Sequence, residues 1–130
     1  MKNKGSGILF VFKNNILLLK NNKGVWEIPG GKRDAGESFL HTAQRETYEE
    51  TGHRPIFKLI GKYTYDNGKN KFKIFIGRVE KKFPIKLSTE HAQWKWFNIK
   101  KLPQHLHKKI LGAIELVIKN LSSSDNINAI

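Results

Sequence analysis

From Gly31 the chain reads Gly31-Lys32-Arg33-Asp34-Ala35-Gly36-Glu37, then seven residues, then Arg45-Glu46-Thr47-Tyr48-Glu49-Glu50-Thr51-Gly52. No other segment constrains the fold as much, because a glycine loop must here be held against a helix rich in carboxylates. Glu46, Glu49 and Glu50 stand at i, i+3 and i+4, which are neighbours on one helix face. Three like charges there repel and weaken the helix. Arg45 reaches Glu49 at i+4, but one arginine cannot neutralise three glutamates. A divalent cation can. Carboxylate oxygens suit hard ions such as Mg2+ or Mn2+, and Mg2+ keeps waters and phosphate oxygens around it. No histidine or cysteine lies among the three glutamates, which argues against zinc. Taken alone, Glu-x-x-Glu-Glu also reads as a solvated acidic helix face. The preceding loop weighs against that reading. Gly30, Gly31 and Gly36 let the backbone pass close to a ligand. Glu37 closes the loop, and an Arg45–Glu37 ion pair would brace it against the helix.

The rest of the composition fits a cation and a polyanion together. Of the 11 acidic residues, five lie between Asp34 and Glu50, while the chain as a whole carries a net charge of +13. An acidic pocket in a positive field lets carboxylates take a metal while lysines draw in phosphates. The basic excess by itself leaves two readings open. Twenty of the 24 basic residues are lysine, and asparagine is abundant, as an AT-rich coding genome would give. A dedicated nucleic-acid surface would favour arginine for its bidentate contacts.

At 130 residues the chain has the length of one domain and can bury an ordinary core. It contains no cysteine, which excludes disulfides, thiolate catalysis and cysteine-ligated metal centres, and which fits a reducing, cytoplasmic setting. The apolar run Ile8 to Phe12 is far too short to span a membrane, so a soluble protein without a membrane partner is expected.

Gly7 to Phe12 and Ile16 to Lys20 read as strands joined by a turn at Lys13-Asn14-Asn15. A turn at Asn21 to Gly24 leads into a short strand, Val25 to Ile28, which Pro29-Gly30-Gly31 stops. A helix is expected from Ser38, its cap, to Thr51, with Gly52 as its terminator and Phe39, Leu40, Ala43 and Thr47 facing inward. Strands follow at Ile56 to Tyr65 and Lys71 to Glu80, turned at Asp66-Asn67-Gly68, and a last strand at Trp94 to Phe97. Leu106, Ile110, Ile114, Val117 and Leu121 share one helical face, predicting a helix from Pro103 to Leu121 that packs on the sheet. The expected organisation is one domain over 1–121 with a polar, flexible tail over 122–130. This order of elements gives an α/β fold, a mixed sheet with a helix on each side.

Written as Gly31, five residues, Glu37, seven residues, Arg45-Glu46, Thr47, one residue, Glu49-Glu50, one residue and Gly52-His53, the run resembles the Nudix box at every charged and glycine position. Trp26-Glu27-Ile28-Pro29-Gly30 before it is also Nudix-like. Two positions depart from the pattern: Thr47 and His53 stand where the family usually has an aliphatic residue. The resemblance implies an α/β/α sandwich with the box as loop–helix–loop, and hydrolysis of a nucleoside diphosphate linked to another group. It implies Glu46, Glu49 and Glu50 as metal ligands, with Gly30 beside them in the metal set and Mg2+, or Mn2+ in its place, as the cofactor. Glu46 and Glu49 are catalytic candidates, Glu46 as base, and Arg45 with Glu37 forms the brace. A later glutamate serves in several members; Glu90 is the candidate here, and His91 is a second candidate base.

The substrate expected is a (d)NTP, canonical or damaged, cleaved to the monophosphate and pyrophosphate, with Trp26, Tyr63, Tyr65 and Trp94 as candidates to stack on the base. Dinucleoside polyphosphates and RNA 5′ ends are alternatives, the latter mildly favoured by the basic surface. A non-catalytic nucleotide- or RNA-binding module is the alternative of another class. Its mark would be loss of box carboxylates, and Glu37, Glu46, Glu49 and Glu50 are all kept. No P-loop motif occurs. His105 and His107, two apart on the expected helix, would point to different sides, which argues against a histidine metal site.

Overall fold

A computed structural model describes residues 2–128, with side chains through Leu121. Seven strands form one mixed sheet: β1 (Asn3–Phe12), β2 (Asn15–Asn21), β3 (Trp26–Glu27), β4 (Gly30–Lys32), β5 (Lys58–Asp66), β6 (Asn70–Arg78) and β7 (His91–Asn98). Helix α1 covers Phe39–Thr51, and α2, entered through a 3-10 turn at Lys108–Ile110, covers Leu111–Asn128. Strands β1 and β6 run parallel from Asn3↔Asn70 to Val11↔Arg78, and the other pairings are antiparallel.

The unbroken apolar run of β1 reflects burial on both faces, as expected of a sheet with a helix on each side. Because side chains alternate along a strand, Ile8 and Phe10 join Leu17, Leu19 and Phe75 on the face that holds Ala43 of α1. Leu9 and Val11 join Ile16, Leu18, Ile74 and Ile76 on the face packed by Ile110 of the 3-10 turn and Ala113, Ile114 and Val117 of α2. The expected α/β/α sandwich is the architecture found.

The edge of β1 is shared. Its end at Val11–Phe12 pairs with β2, while Gly5–Gly7 pairs with β4 through Gly5↔Lys32, Ser6↔Gly31 and Gly7↔Gly30. Gly30 therefore begins a strand, where the sequence reading had the glycine pair only as a stop. This pairing fixes the glycine loop directly under α1, which packs on β1 and β4.

Helix α1 starts where Ser38 Oγ accepts from the His41 N–H at 3.0 Å, and ends where Gly52, at φ 75°, donates its N–H to the Tyr48 carbonyl. Leu40, expected inward, is 38% exposed; Thr42, Ala43, Thr47, Glu50 and Thr51 are the buried residues. Thr47 tolerates its buried position because its hydroxyl donates to the Ala43 carbonyl at 2.7 Å. Thr51 does the same to Thr47.

The last helix also departs from expectation. Pro103 to His107 are not helical: His105 has φ 61°, and Leu106 bridges Trp26 while the Trp26 N–H donates to His105 and the His107 N–H to Trp26. This segment seals the edge at β3, and the helix begins only after His107 caps the 3-10 turn. At the other end the helical backbone continues to Asn128; residues 129–130 of the tail expected over 122–130 lie outside the described residues.

Candidate active site

The centre of the site is Arg45. Its Nε and Nη2 donate to the two oxygens of Glu37 at 2.7 and 3.0 Å, a bidentate pair across the loop. Nη2 also donates to the Lys32 carbonyl, and Nη1 donates to Glu46 at 2.9 Å and Glu49 at 3.1 Å. One guanidinium thus ties the loop to two of the three helix glutamates. Glu37 also accepts from the Asp34 N–H and the Thr42 hydroxyl. The Arg45 hydrogen bond, then these others, hold its carboxyl down at about 2.

The three glutamates sit in different surroundings. Glu49 is half exposed, Glu46 is mostly covered, and Glu50 is 1% exposed. The Gly30 N–H donates to both oxygens of Glu50, at 3.2 and 3.3 Å, and this is how Gly30 joins the cluster. Burial pushes the Glu50 carboxyl up to about 9, with the negative charges of Glu46, Glu90 and Glu27 adding to it. Burial also raises Glu46, helped by Glu49 and Glu90 and opposed by Arg45. A cluster this crowded, opposed by one backbone N–H, Arg45 and the half-buried Lys109, suits a divalent cation as its missing counter-charge.

Glu90, proposed from a loop 40 residues further on, does reach the cluster. Carboxylate oxygens of Glu50 and Glu90 and a ring nitrogen of His91 lie within 4.8 Å of one another. The loop is pinned by Ser88, whose hydroxyl accepts from the Glu90 N–H, and by Asn22, which donates to the Thr89 carbonyl. A histidine therefore stands beside these glutamates in space, although none lies among the helix glutamates in sequence.

His91 itself is buried, and its Nε2 is 2.8 Å from Glu27 Oε2. Glu27 was read only as part of the Trp-Glu-Ile-Pro-Gly run. Its signal was its place on a strand next to inward-facing Trp26, which sends its side chain to the opposite face. Burial raises the Glu27 carboxyl, but the His91 hydrogen bond and the charges of Lys109, His91 and His107 bring it below the usual range. Lys109 was also missed. It is half-buried, and burial lowers its ammonium against the opposing charges of Glu27 and Glu50. Its Nζ lies 4.2 Å from the centre of the Phe72 ring.

Beside Gly31 opens a cleft of about 510 Å³ lined by Lys4, Lys32, Lys71, Lys108 and Lys109, with Tyr65, Phe72 and His107. Of the four aromatic residues named as base platforms, Tyr65 is the one in this lining. Trp26 is buried edge-on against Phe97, Tyr63 packs against Gly112, and Trp94 is part-exposed on β7. Among the described residues no helix is long and apolar enough to cross a membrane.

A family model described as NUDIX domain matches residues 1–117. A putative 8-oxo-dGTP diphosphatase of Bacillus subtilis (strain 168) is 31% identical, over 79% of this chain and 71% of that protein. An RNA pyrophosphohydrolase of Pelagibacter ubique (strain HTCC1062) is 29% identical, over 88% of this chain and 92% of that protein. Among solved structures, the MutT protein from Methanosarcina mazei Go1 is similar in fold at a TM-score of 0.74 and 24% identity, covering 92% of this chain and 94% of that one.

Proposed function

The chain belongs to the Nudix hydrolase family, and we propose that within it the protein hydrolyses a nucleoside triphosphate or deoxynucleoside triphosphate, canonical or damaged, to the monophosphate and pyrophosphate. The observation that carries this reading is the cleft beside Gly31. Its 510 Å³ suits one nucleotide, and its lysines and two aromatic rings offer partners for phosphates and for a base. Its wall at Gly31 also touches Glu46, so a bound polyphosphate would lie against the carboxylate helix. The similarity to an 8-oxo-dGTP diphosphatase supports the same substrate class.

In this reading Glu46, Glu49, Glu50 and Glu90 would hold Mg2+, with Gly30 at the edge of the metal set; Mn2+ would be the alternative ion. When bound, the ion supplies neutralising charge on phosphate oxygens and a water of lowered pKa. Glu46 accepts the proton of the attacking water. Its raised pKa brings it nearer to neutral pH, where a base is most effective. A water oxygen–phosphorus bond forms, the bridging phosphorus–oxygen bond breaks, and pyrophosphate leaves toward the lysines. Arg45 and Glu37 hold the loop so that Gly31 and Glu46 keep their spacing. Lys32, Lys71 and Lys108 attract the phosphates, and Tyr65 offers a stacking face for the base.

A second reading, removal of pyrophosphate from RNA 5′ ends, is favoured by the relative that matches over 92% of its own length and by the same lysine-lined cleft. Incubation with canonical and oxidised (d)NTPs, Ap4A and 5′-triphosphate RNA, each with Mg2+ or EDTA, separates the readings by product chromatography. Nucleoside monophosphate and pyrophosphate from one (d)NTP class is the expected result. Turnover of RNA alone would move the substrate to the second reading with the same site. Metal and nucleotide binding without any turnover would overturn both.

A further inference from the structure

We propose that His91 is itself a metal ligand, so that Glu50, Glu90 and His91 form a mixed oxygen–nitrogen site that holds Mn2+ more tightly than Mg2+, with Glu27 as the carboxylate that orients the imidazole. The inference rests on the reading of the carboxylate cluster as a divalent-metal site, and adds a ligand type that the box glutamates do not supply.

Two independent observations carry it. The first is the convergence of the three side chains: one carboxylate oxygen each of Glu50 and Glu90 and one ring nitrogen of His91 fall within 4.8 Å of one another. The second is an orphaned nitrogen. The His91 side chain is 1% exposed, its Nε2 is engaged by Glu27 at 2.8 Å, and its buried Nδ1 has no hydrogen-bond partner among the described residues. A buried polar atom without a partner is costly. A neutral imidazole that donates Nε2–H to a carboxylate presents a lone pair at Nδ1. Such a lone pair is what a metal ion accepts, and metal-bound histidines usually donate their other N–H to a carboxylate or carbonyl. Glu27 and His91 come from β3 and β7, strands that both pair with β2, so the sheet fixes the ring before any ligand arrives. Mg2+ strongly prefers oxygen and water, whereas an imidazole nitrogen favours transition-metal divalents, which gives the preference for Mn2+.

The test uses the full chain with Mn2+ alone as the probe. Mn2+ affinity is read by the loss of free-ion signal in electron paramagnetic resonance, and ligand identity by pulsed measurement of nitrogen hyperfine coupling, with and without [15N]histidine. The expected result is bound Mn2+ carrying a histidine nitrogen coupling that changes isotope with the label and disappears in His91→Gln. That variant should lose Mn2+ affinity by on the order of tenfold or more while Mg2+ affinity changes much less. Bound Mn2+ without histidine coupling would overturn the proposal alone, leaving the carboxylate site standing and Nδ1 to a buried water. Coupling that persists in His91→Gln would overturn it in favour of another histidine. No Mn2+ binding at all would overturn the metal-site reading beneath it. If His91→Gln does not fold, the labelled wild-type protein still decides: absence of coupling refutes the proposal. Coupling kept in His41→Gln, which removes the surface histidine 3.4 Å from Glu37, supports it.

Discussion

The carboxylate of Glu46 fills the space where a side chain on Gly31 would begin: a Cβ there would stand 2.5 Å from its Cδ. The loop and the helix are fitted to each other at this point. The colliding atoms are the far end of a flexible side chain, so the fold can yield cheaply by turning Glu46 aside. Gly31→Ala should therefore keep its melting temperature within a few degrees while turnover falls by about two orders of magnitude, the scale of losing a general base. Parallel melting and kinetic assays check this. A large loss of stability with normal turnover per folded molecule would contradict it.

Arg45 serves four carboxylates at once, those of Asp34, Glu37, Glu46 and Glu49, and lysine cannot reproduce its forked geometry. Arg45→Lys should lower kcat by roughly 10- to 100-fold, the range for a lost supporting contact around a metal site. The pair also has a pH signature. Glu37 is held at about 2, below its ordinary value near 4.5, so the stability it contributes is full above that ordinary value and is lost as pH falls through about 2. Melting scans between pH 6 and 2 should show a steeper decline for the wild type than for Arg45→Lys.

Glu50 works in the opposite sense. Its carboxyl is raised to about 9, so between its ordinary value and pH 9 the folded state binds the extra proton, and stability falls as pH rises. In EDTA, Glu50→Gln should be more stable than wild type at pH 8, by on the order of 1–3 kcal/mol. The two should converge near pH 4.5. Mg2+ should reverse the order at pH 8, because only the wild type gains the ligand. Urea titrations at the two pH values give both comparisons.

In the proposed reading the lysines of the cleft serve binding rather than the bond-breaking step. Changing Lys71 and Lys108 together to alanine should raise KM by about tenfold and leave kcat within about twofold, as loss of uniform binding does. The effect should shrink at high salt, where exposed charges are screened. An equal fall in kcat would mean that these lysines meet the transition state instead.

Much of the site is local in sequence, and that part was legible. The Arg45–Glu37 brace spans two helical turns and a loop, and the face shared by Glu46, Glu49 and Glu50 follows from helix geometry alone. Glu90 came from the resemblance, which implies a later glutamate. The Glu27–His91 pair was not legible, because its partners are 64 residues apart and meet only through strand pairing around β2. The last helix shows the same limit. Leu106 fits the spacing of Ile110 and Ile114, yet it is drawn into a bridge with Trp26, and His105 takes a left-handed backbone to allow it. Tertiary pairing overrode a pattern that was locally sound. Strand β4 was hidden because glycines were read as breakers, when what they permit is the close approach of two backbones at Gly7 and Gly30.

The most direct test of the central claim is turnover of a (d)NTP panel by wild type and Glu49→Gln, each with Mg2+ and with EDTA. Glu49 is exposed enough for the substitution to spare the fold. The account predicts monophosphate and pyrophosphate from the wild type with Mg2+, none in EDTA, and a loss of orders of magnitude in the variant. Turnover that survives EDTA, or a Glu49→Gln enzyme with wild-type activity, would contradict the assignment of the carboxylate helix as the metal-dependent hydrolytic site.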